Sequence, residues 1–287
     1  MKSIIKVINL KKQYGSNTII KGISFEVSKG EIFALLGTNG AGKTTTLECI
    51  EGIRRYNSGE ILVNGKIGVQ LQSSTLPEGI RGIESLKLYA KWNKTEVDLD
   101  FVNRLGVSEI LKKEYKFMST GQKRRLHLAL AMTGNPEIIF LDEPTAGLDV
   151  EGRVALHEEI RRLKSIGKTI IMASHDMAEV ESLCDTLAIL KDGEIAYLGK
   201  VNELINNMKR TYRIYMKLSR NFGNDYSNDY IYKGVEKDYH VFECSKIHEG
   251  LLEILSLAKR ENIEVADVKV ETLTLEDSFM NIARGEK

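Results

Sequence analysis

The sequence is poor in the residues that build disulfide frameworks, rigid linkers and membrane spans. Its 287 residues include three cysteines, three prolines and one tryptophan, and the cysteines form no C-x-x-C pair. Scattered cysteines fit a reducing compartment and disfavour a disulfide framework or a zinc site. No apolar run approaches the ~18 residues that predict a membrane span. No apolar block of the kind found in a signal peptide follows the first ten residues.

Neither sign of charge is in excess. The 41 lysines and arginines nearly balance the 40 aspartates and glutamates, for a net charge of +1. This balance gives no support for a general nucleic-acid binder. The hydrophobic share of 42% and the charged share of 28% are ordinary for a globular protein, which disfavours a disordered or fibrous chain. The length allows one large domain with a smaller one attached.

The first part of the chain alternates short apolar strands with helical patterns, which predicts an α/β fold with a largely parallel sheet. The main strands are predicted at residues 31–36, 138–142, 169–173 and 186–190, after an antiparallel pair at 4–10 and 19–27. The helix after Gly152 is expected to end near Gly167. The mostly helical pattern of residues 73–135 predicts a helical subdomain inserted into this core. The first domain is expected to cover residues 1–205.

The alternation of strands and helices changes after Asn206. Residues 206–287 are predicted to form a small C-terminal α+β domain. Side chains alternate along residues 212–218, which is typical of a strand, and the polar run at 221–229 indicates a loop. Further strands are expected at 230–232, 239–244 and 263–270. Apolar residues at helical spacing predict a helix over 247–258, and a short helix is expected at 275–283.

A phosphate-binding loop is predicted at residues 37–44, which read G-T-N-G-A-G-K-T and match G-x-x-x-x-G-K-[ST] between a strand and a helix. Glycines let such a loop curl so that backbone N–H groups point at phosphate oxygens, and the helix N-terminus adds its positive dipole end. Lys43 can reach the β- and γ-phosphates, and the Thr44 hydroxyl can bind Mg²⁺. The alternative, a glycine-rich turn without a ligand, is disfavoured by the flanking strand and helix.

Two carboxylates, Asp142 and Glu143, end the apolar run that begins at Ile138. Such a strand delivers its last residues to the crevice where α/β sheets bind ligands. Asp142 suits Mg²⁺, and Glu143 suits polarisation of an attacking water. The alternative is an ordinary strand followed by a polar turn, and the upstream phosphate loop weighs against it.

Residues 4–204 resemble the nucleotide-binding subunits of ATP-binding-cassette (ABC) transporters, because their motifs occur in the same order along the chain. The resemblance implies an ATPase with ATP and Mg²⁺ as its ligands. It assigns ATP binding to Tyr14, Gly37, Thr38, Asn39, Gly40, Ala41, Gly42, Lys43, Thr44 and Thr45. Tyr14 would stack on adenine, although a plain surface tyrosine is an equally good interpretation of that residue alone. Mg²⁺ would be held by Thr44, Asp142 and Gln72.

Four further motifs belong to this resemblance. Gln72, in I-G-V-Q-L-Q at 67–72, resembles the Q-loop glutamine, with Gln70 as its rival. M-S-T-G-Q at 118–122 resembles the L-S-G-G-Q signature, so Ser119, Thr120, Gly121 and Gln122 would contact the ATP of a partner subunit. T-A-G-L-D at 145–149 resembles the D-loop ending in Asp149, and His175 resembles the switch histidine. The catalytic residues would be Glu143, His175 and Gln72.

The sequence also departs from the family pattern. Thr120 stands where the first signature glycine is usual, Met118 where leucine is usual, and Thr38 where proline is usual. The connection at residues 65–67 is short. The helix after the signature is expected to begin at Lys123. The triplet at 123–125 is interpreted as a solvated helix face rather than a nucleic-acid patch.

The resemblance implies an ATP-driven clamp of two such subunits, a homodimer, which energises a separate integral-membrane permease. L-T-L-E-D-S-F-M at 273–280 resembles the ending of drug, antibiotic and sodium exporter cassettes, and an amphipathic terminal helix is the alternative. The expected function is therefore the ATPase of an exporter, peripheral on the cytoplasmic face of the cell membrane, with no nucleic-acid partner. A soluble cassette ATPase of translation or DNA repair is the alternative. A P-loop kinase or GTPase is disfavoured by the signature, Q-loop and histidine together.

Overall fold

The computed structural model describes residues 2–70, 76–207, 212–220 and 229–272. The chain divides into two compact units, Met1–Val201 and Asn202–Lys287. Within the described ranges, none of the helices combines the length and the apolar character needed to cross a membrane.

The first unit alternates strands with helices along most of its length. In chain order its elements are β1 (Ser3–Tyr14), β2 (Asn17–Ser28), β3 (Ile32–Gly37), α1 (Lys43–Ile50), β4 (Ser58–Val63), β5 (Ile67–Gln70), α2 (Gly82–Trp92), α3 (Leu99–Arg104), α4 (Thr120–Met132), β6 (Ile138–Asp142), α5 (Val150–Ser165), β7 (Thr169–Ser174), α6 (Met177–Leu183), β8 (Thr186–Lys191) and β9 (Glu194–Lys200). Short 3₁₀ turns lie at Ser108–Ile110 and Tyr115–Phe117. Helix α7 (Val201–Asn207) follows.

A six-stranded sheet forms the centre of this unit, in the order β5-β6-β7-β3-β8-β9. All neighbours pair in parallel except β8 and β9. Every residue of β3, β6 and β7 is buried, because strands inside a parallel sheet are covered on both faces. The predicted parallel sheet is confirmed. The antiparallel edge strand β9 was not predicted, since its alternating half-buried residues give a weak signal.

The first unit also contains an antiparallel sheet and a helical insertion, as predicted. An antiparallel sheet in the order β2-β1-β4 contains the expected pair of strands and a third strand. Helices α2, α3 and α4 form the helical insertion between β5 and β6. Residues 64–66 alone connect β4 to β5, which agrees with the short connection expected there. The predicted start of α4 at Lys123 is wrong, because Ser119 caps the helix and Thr120 is its first residue.

The second unit contains a four-stranded antiparallel sheet and one long helix. Its elements are β10 (Tyr212–Leu218), β11 (Ile231–Glu236), β12 (Tyr239–Cys244), α8 (Ile247–Arg260) and β13 (Val265–Thr272), with the sheet order β11-β12-β10-β13. Ile214, Met216 and Phe242 pack with Ile254 of the helix in a small core. Strands β11 and β13 begin one and two residues later than expected. The helix expected at 275–283 lies outside the described residues.

Candidate active site

The loop between β3 and α1 has the backbone that a phosphate cradle requires. Gly40 and Gly42 have φ values of 84° and 103°, a region that side chains other than glycine rarely adopt. A Cβ atom at Gly42 would also lie 3.3 Å from the Ile19 carbonyl oxygen. No side chain caps α1 at Gly42, and its first turn carries no acidic residue. The first N–H groups of α1 are therefore available to an anion.

Lys43 places a positive charge beneath this loop. The residue is 6% exposed, and its Nζ donates hydrogen bonds to the carbonyl oxygens of Gly37 at 2.7 Å and Thr38 at 3.3 Å. The same Nζ lies 3.9 Å from Glu143 Oε1. Burial lowers the pKa of Lys43, and the carboxylates of Glu143 and Asp142 oppose that shift. The loop thus holds its ammonium group among acceptors that phosphate oxygens can replace.

Asp142 ends β6 beside the first turn of α1. It is 5% exposed, and its Oδ1 has no hydrogen-bond partner among the described residues. Burial raises the pKa of Asp142, and a hydrogen bond from the Thr44 side chain lowers it. An unpartnered buried carboxylate oxygen next to a hydroxyl is an oxygen-rich arrangement that suits a hard divalent cation.

Glu143 and His175 form a pair across two neighbouring strands. His175 Nδ1 lies 2.6 Å from Glu143 Oε2. The two residues meet because β6 and β7 pair in parallel with Asp142 opposite Ala173, so each follows its strand at the same edge. Glu143 is 8% exposed and has a φ of +50°, a strained conformation for a residue with a side chain. Strain of about 1–3 kcal/mol at such a position is typical of functional sites.

A cavity of about 480 Å³ opens above the loop. Its lining residues are Tyr14, Ile19, Asn39, Gly40, Gly42, Lys43, Thr44, Thr45 and Glu143. Tyr14, at the end of β1, is 41% exposed, and the cations of Lys12 and Arg54 lie 4.6 and 5.4 Å from its ring centroid. The ring is therefore accessible at the cavity. Of the other residues expected to bind ATP, Thr38 is exposed, whereas Gly37 and Ala41 are buried.

The signature residues lie at the N-terminus of α4 and do not line this cavity. Ser119 and Gln122 form a reciprocal cap: Ser119 Oγ accepts from the Gln122 N–H at 3.3 Å, and Gln122 Oε1 accepts from the Ser119 N–H at 3.1 Å. Ser119 and Thr120 are exposed, and Gly121 is half-buried. One chain thus presents its signature on a surface separate from its own phosphate loop.

Comparison with known proteins agrees with this geometry. The sequence profile described as ABC transporter matches residues 20–146. The linearmycin resistance ATP-binding protein LnrL of Bacillus subtilis is 32% identical over 97% of this chain and 98% of its own length. The Nod factor export ATP-binding protein I of Ralstonia nicotianae is 33% identical over 71% of this chain and 69% of its own length.

The chain belongs to the ABC transporter family. As an ATP-binding subunit of that family it binds ATP and hydrolyses it to drive transport. The fold agrees as well: a solved ATP-binding subunit of an ABC transporter matches with a TM-score of 0.65 and 25% identity, over 71% of this chain and 93% of that one.

The D-loop of this ABC subunit packs against its own signature. Gly147 has a φ of +76°, and a Cβ atom there would lie 3.0 Å from Thr120 Cγ2. A Cβ atom at Gly121 would lie 3.4 Å from Leu148 Cδ2. Asp149 caps α5, because its side chain accepts a hydrogen bond from the Gly152 N–H at 2.8 Å. The signature threonine therefore has a neighbour in its own chain that the motifs alone did not indicate.

The basic triplet of the cassette is not the solvated face that was predicted. All three side chains are half-buried. Lys123 Nζ lies 4.7 Å from the centroid of the Tyr115 ring, and Arg124 Nη1 donates a hydrogen bond to the Asp142 carbonyl oxygen at 3.5 Å. Helical spacing could not reveal this, because both partners lie outside the helix, in the turn at Tyr115 and at the end of β6.

Two predicted features lie outside the described residues: Gln72, and the exporter-like ending at 273–280. The rival glutamine, Gln70, is 2% exposed in β5, and its Oε1 has no hydrogen-bond partner among the described residues. Glu179, a buried carboxylate on α6, was not predicted as a site residue. The available signal was a glutamate four residues after the histidine, on the face of α6 that also carries buried Val180 and Leu183.

Proposed function

We propose that the chain is the ATP-hydrolysing subunit of a membrane exporter, with Glu143 as its catalytic base. The observation that carries this proposal is the Glu143–His175 pair beside Lys43 at the phosphate-loop cavity. Glu143 would polarise a water for attack on the γ-phosphorus, and the bond from that phosphorus to the bridging oxygen would break to release ADP and phosphate. His175 would hold the carboxylate in place.

Nucleotide binding is assigned to the cavity that the phosphate loop and Tyr14 share. The loop from Gly37 to Thr45 would hold the phosphates through its N–H groups and the Lys43 ammonium. Tyr14 would stack on the base, since its ring is accessible and lines the same cavity.

A divalent cation fits the residues beside the loop. The unpartnered Oδ1 of Asp142 and the Thr44 hydroxyl offer the oxygen ligands that Mg²⁺ prefers, and Gln72 is the third proposed ligand. When bound, Mg²⁺ would neutralise charge that develops on the β- and γ-phosphate oxygens.

The signature residues are assigned to the nucleotide of a second copy of the chain. Ser119, Thr120, Gly121 and Gln122 lie at an accessible helix N-terminus outside the cavity of their own chain, an arrangement that suits an anion brought by a partner. Asp149 ends the D-loop, of which Gly147 and Leu148 lie against this signature. Two ATP molecules would then join two subunits, and loss of the γ-phosphate would separate them.

The names of the relatives support a role in export. A linearmycin resistance protein matches 97% of the chain, and a Nod factor export protein matches 71% of it. We therefore assign to this chain an integral-membrane permease as its partner and a position on the cytoplasmic face of the cell membrane. The second unit would serve assembly with that partner, and no nucleic acid is expected to bind.

Two measurements on the full-length chain test this proposal. Phosphate release from ATP should require a divalent cation and stop when EDTA is added. In detergent extracts, the chain should co-purify with a hydrophobic protein of multiple membrane spans. Co-purification with ribosomes or DNA instead would favour a soluble cassette ATPase, for which the relatives named above give no support.

A further inference from the structure

Glu179 is a buried carboxylate in the first turn of α6, which the proposed mechanism does not use. It is 3% exposed, and its Oε2 accepts a hydrogen bond from Ser174 Oγ at 2.7 Å. Its Oε1 has no hydrogen-bond partner among the described residues. Burying a carboxylate costs free energy unless hydrogen bonds or charges stabilise it, so the contacts of Glu179 indicate what the residue does.

The contact with Ser174 fixes the turn that carries His175. Ser174 is the last residue of β7 and directly precedes the histidine. Its hydroxyl donates to Glu179 and also accepts from the Asp176 N–H at 3.0 Å. Asp176 Oδ1 in turn accepts from the N–H groups of Ala178 and Glu179 at 3.0 and 3.2 Å. Hydrogen bonds thus connect Ser174 and Asp176, the two residues that flank His175, to the first turn of α6.

The segment that carries Glu143 also lies near the carboxylate. Thr145 is buried, and its side chain lowers the pKa of Glu179. The Ala146 N–H donates to the Glu143 carbonyl oxygen at 3.2 Å, which connects this segment to Glu143. The direct hydrogen bond of the carboxylate is the one from Ser174, next to His175.

Asp176, Glu143 and His157 also lie near the carboxylate. Burial raises the pKa of Glu179, as do the charges of Asp176 and Glu143, while Ser174 and Thr145 lower it. From α5, His157 Nε2 lies 3.5 Å from Glu179 Oε1, and burial lowers the pKa of that histidine. The Ser174 hydroxyl donates the hydrogen bond that holds the carboxylate in its present position.

We propose that Glu179 is a positioning residue: through its hydrogen bond with Ser174 it holds His175 at the distance at which the histidine pairs with Glu143. This inference rests on the proposed function, in which that pair prepares the attacking water. Loss of the carboxylate charge would leave the turn formed but weaken its hold on His175, so the chemical step would slow while the phosphate loop still binds ATP.

The test compares Glu179→Gln and Ser174→Ala with wild type in the full-length chain, each also combined with His175→Ala. Each single variant should lower kcat about tenfold, the usual cost of losing a hydrogen bond to a charged group, and change the Kd for ATP less than about twofold. In the His175→Ala background, Glu179→Gln should cost less than about twofold further, because residues that act through one another are not additive.

Glu159→Gln is the matched control. Glu159 is also a buried carboxylate, on α5, and its Oε1 pairs with Arg162 Nη2 at 2.6 Å. Its loss should lower the unfolding temperature without changing kcat. Wild-type kcat in Glu179→Gln would overturn the proposal, and so would a full tenfold loss in the His175→Ala background.

A second readout does not depend on hydrolysis. In the NMR spectrum of histidine-labelled protein, Glu179→Gln should shift the His175 ring resonances, and Glu159→Gln should leave them in place. If wild type lacked ATPase activity, the proposed function would fail, and these resonances would still decide the role of Glu179. Unshifted His175 resonances in Glu179→Gln would overturn that role.

Discussion

Mixing two inactive variants tests whether two chains share each nucleotide site. Ser119→Arg places a bulky side chain where the γ-phosphate of the partner would dock, and Lys43→Ala removes the ammonium beneath the phosphate loop. Neither variant alone can form a complete site, because each site needs one phosphate loop and the opposite signature. A mixed dimer contains one site in which Lys43 and Ser119 are both intact.

The expected recovery follows from the two-fold symmetry of such a dimer. Random association of equal amounts gives mixed dimers in about half of the population, and each has one complete site of two. If the sites fire independently, phosphate release should therefore reach about a quarter of the wild-type rate. The assay is phosphate release against protein concentration, with mixed dimers verified by native mass spectrometry.

The structure also predicts what Ser119→Arg does to a single chain. It removes the cap of α4, in which Ser119 Oγ accepts from the Gln122 N–H at 3.3 Å. Loss of such a cap costs about 1 kcal/mol, or roughly 2–4 °C in Tm for a unit of this size. Ser119→Ala loses the same cap without adding bulk, so it should match Ser119→Arg in Tm and retain more activity.

ATP binding by the isolated Ser119→Arg chain should be unchanged, since the cavity residues belong to one chain. Full activity of Ser119→Arg as a strict monomer would refute the shared site.

Four other perturbations have defined outcomes. Glu143→Gln should lower kcat by about 10²–10⁴ and leave ATP affinity intact, whereas Glu159→Gln should keep kcat; equal rates in both would contradict the assignment of the base. Tyr14→Ala should weaken ATP binding by about 1–3 kcal/mol in a fluorescence titration, and an unchanged Kd would make Tyr14 a plain surface residue. Burial raises the pKa of Glu51 from 4.5 to about 8, so the folded state retains a proton that the unfolded state releases. The Tm of wild type should therefore fall relative to Glu51→Gln as the pH rises from 4.5 to about 8, and parallel Tm curves would contradict this. Deleting Asn202–Lys287 should spare ATP binding and impair assembly with the permease, and loss of ATP binding by a folded truncation would contradict this.

Local sequence was sufficient for the features that depend on neighbouring residues. The phosphate loop is one continuous stretch whose glycines and lysine are set by backbone geometry and charge, so its pattern predicts its conformation. The central strands could also be predicted from the sequence. Strands β6 and β7 are buried on both faces, so they consist mostly of consecutive apolar residues. The predicted start of α4 is three residues too late, because Ser119 belongs to the signature motif and also caps the helix.

Contacts between distant residues were decided by the tertiary structure alone. Glu143 and His175 are 32 positions apart, and they pair because β6 and β7 are neighbours in a fixed register. The contact between Arg124 of α4 and the Asp142 carbonyl oxygen, 18 positions apart, depends on packing in the same way. A sequence pattern reports which face of an element is buried, whereas sheet order and register determine which polar groups meet there. Packing of the whole core sets that order and register, so these partners could not be predicted from the sequence by itself.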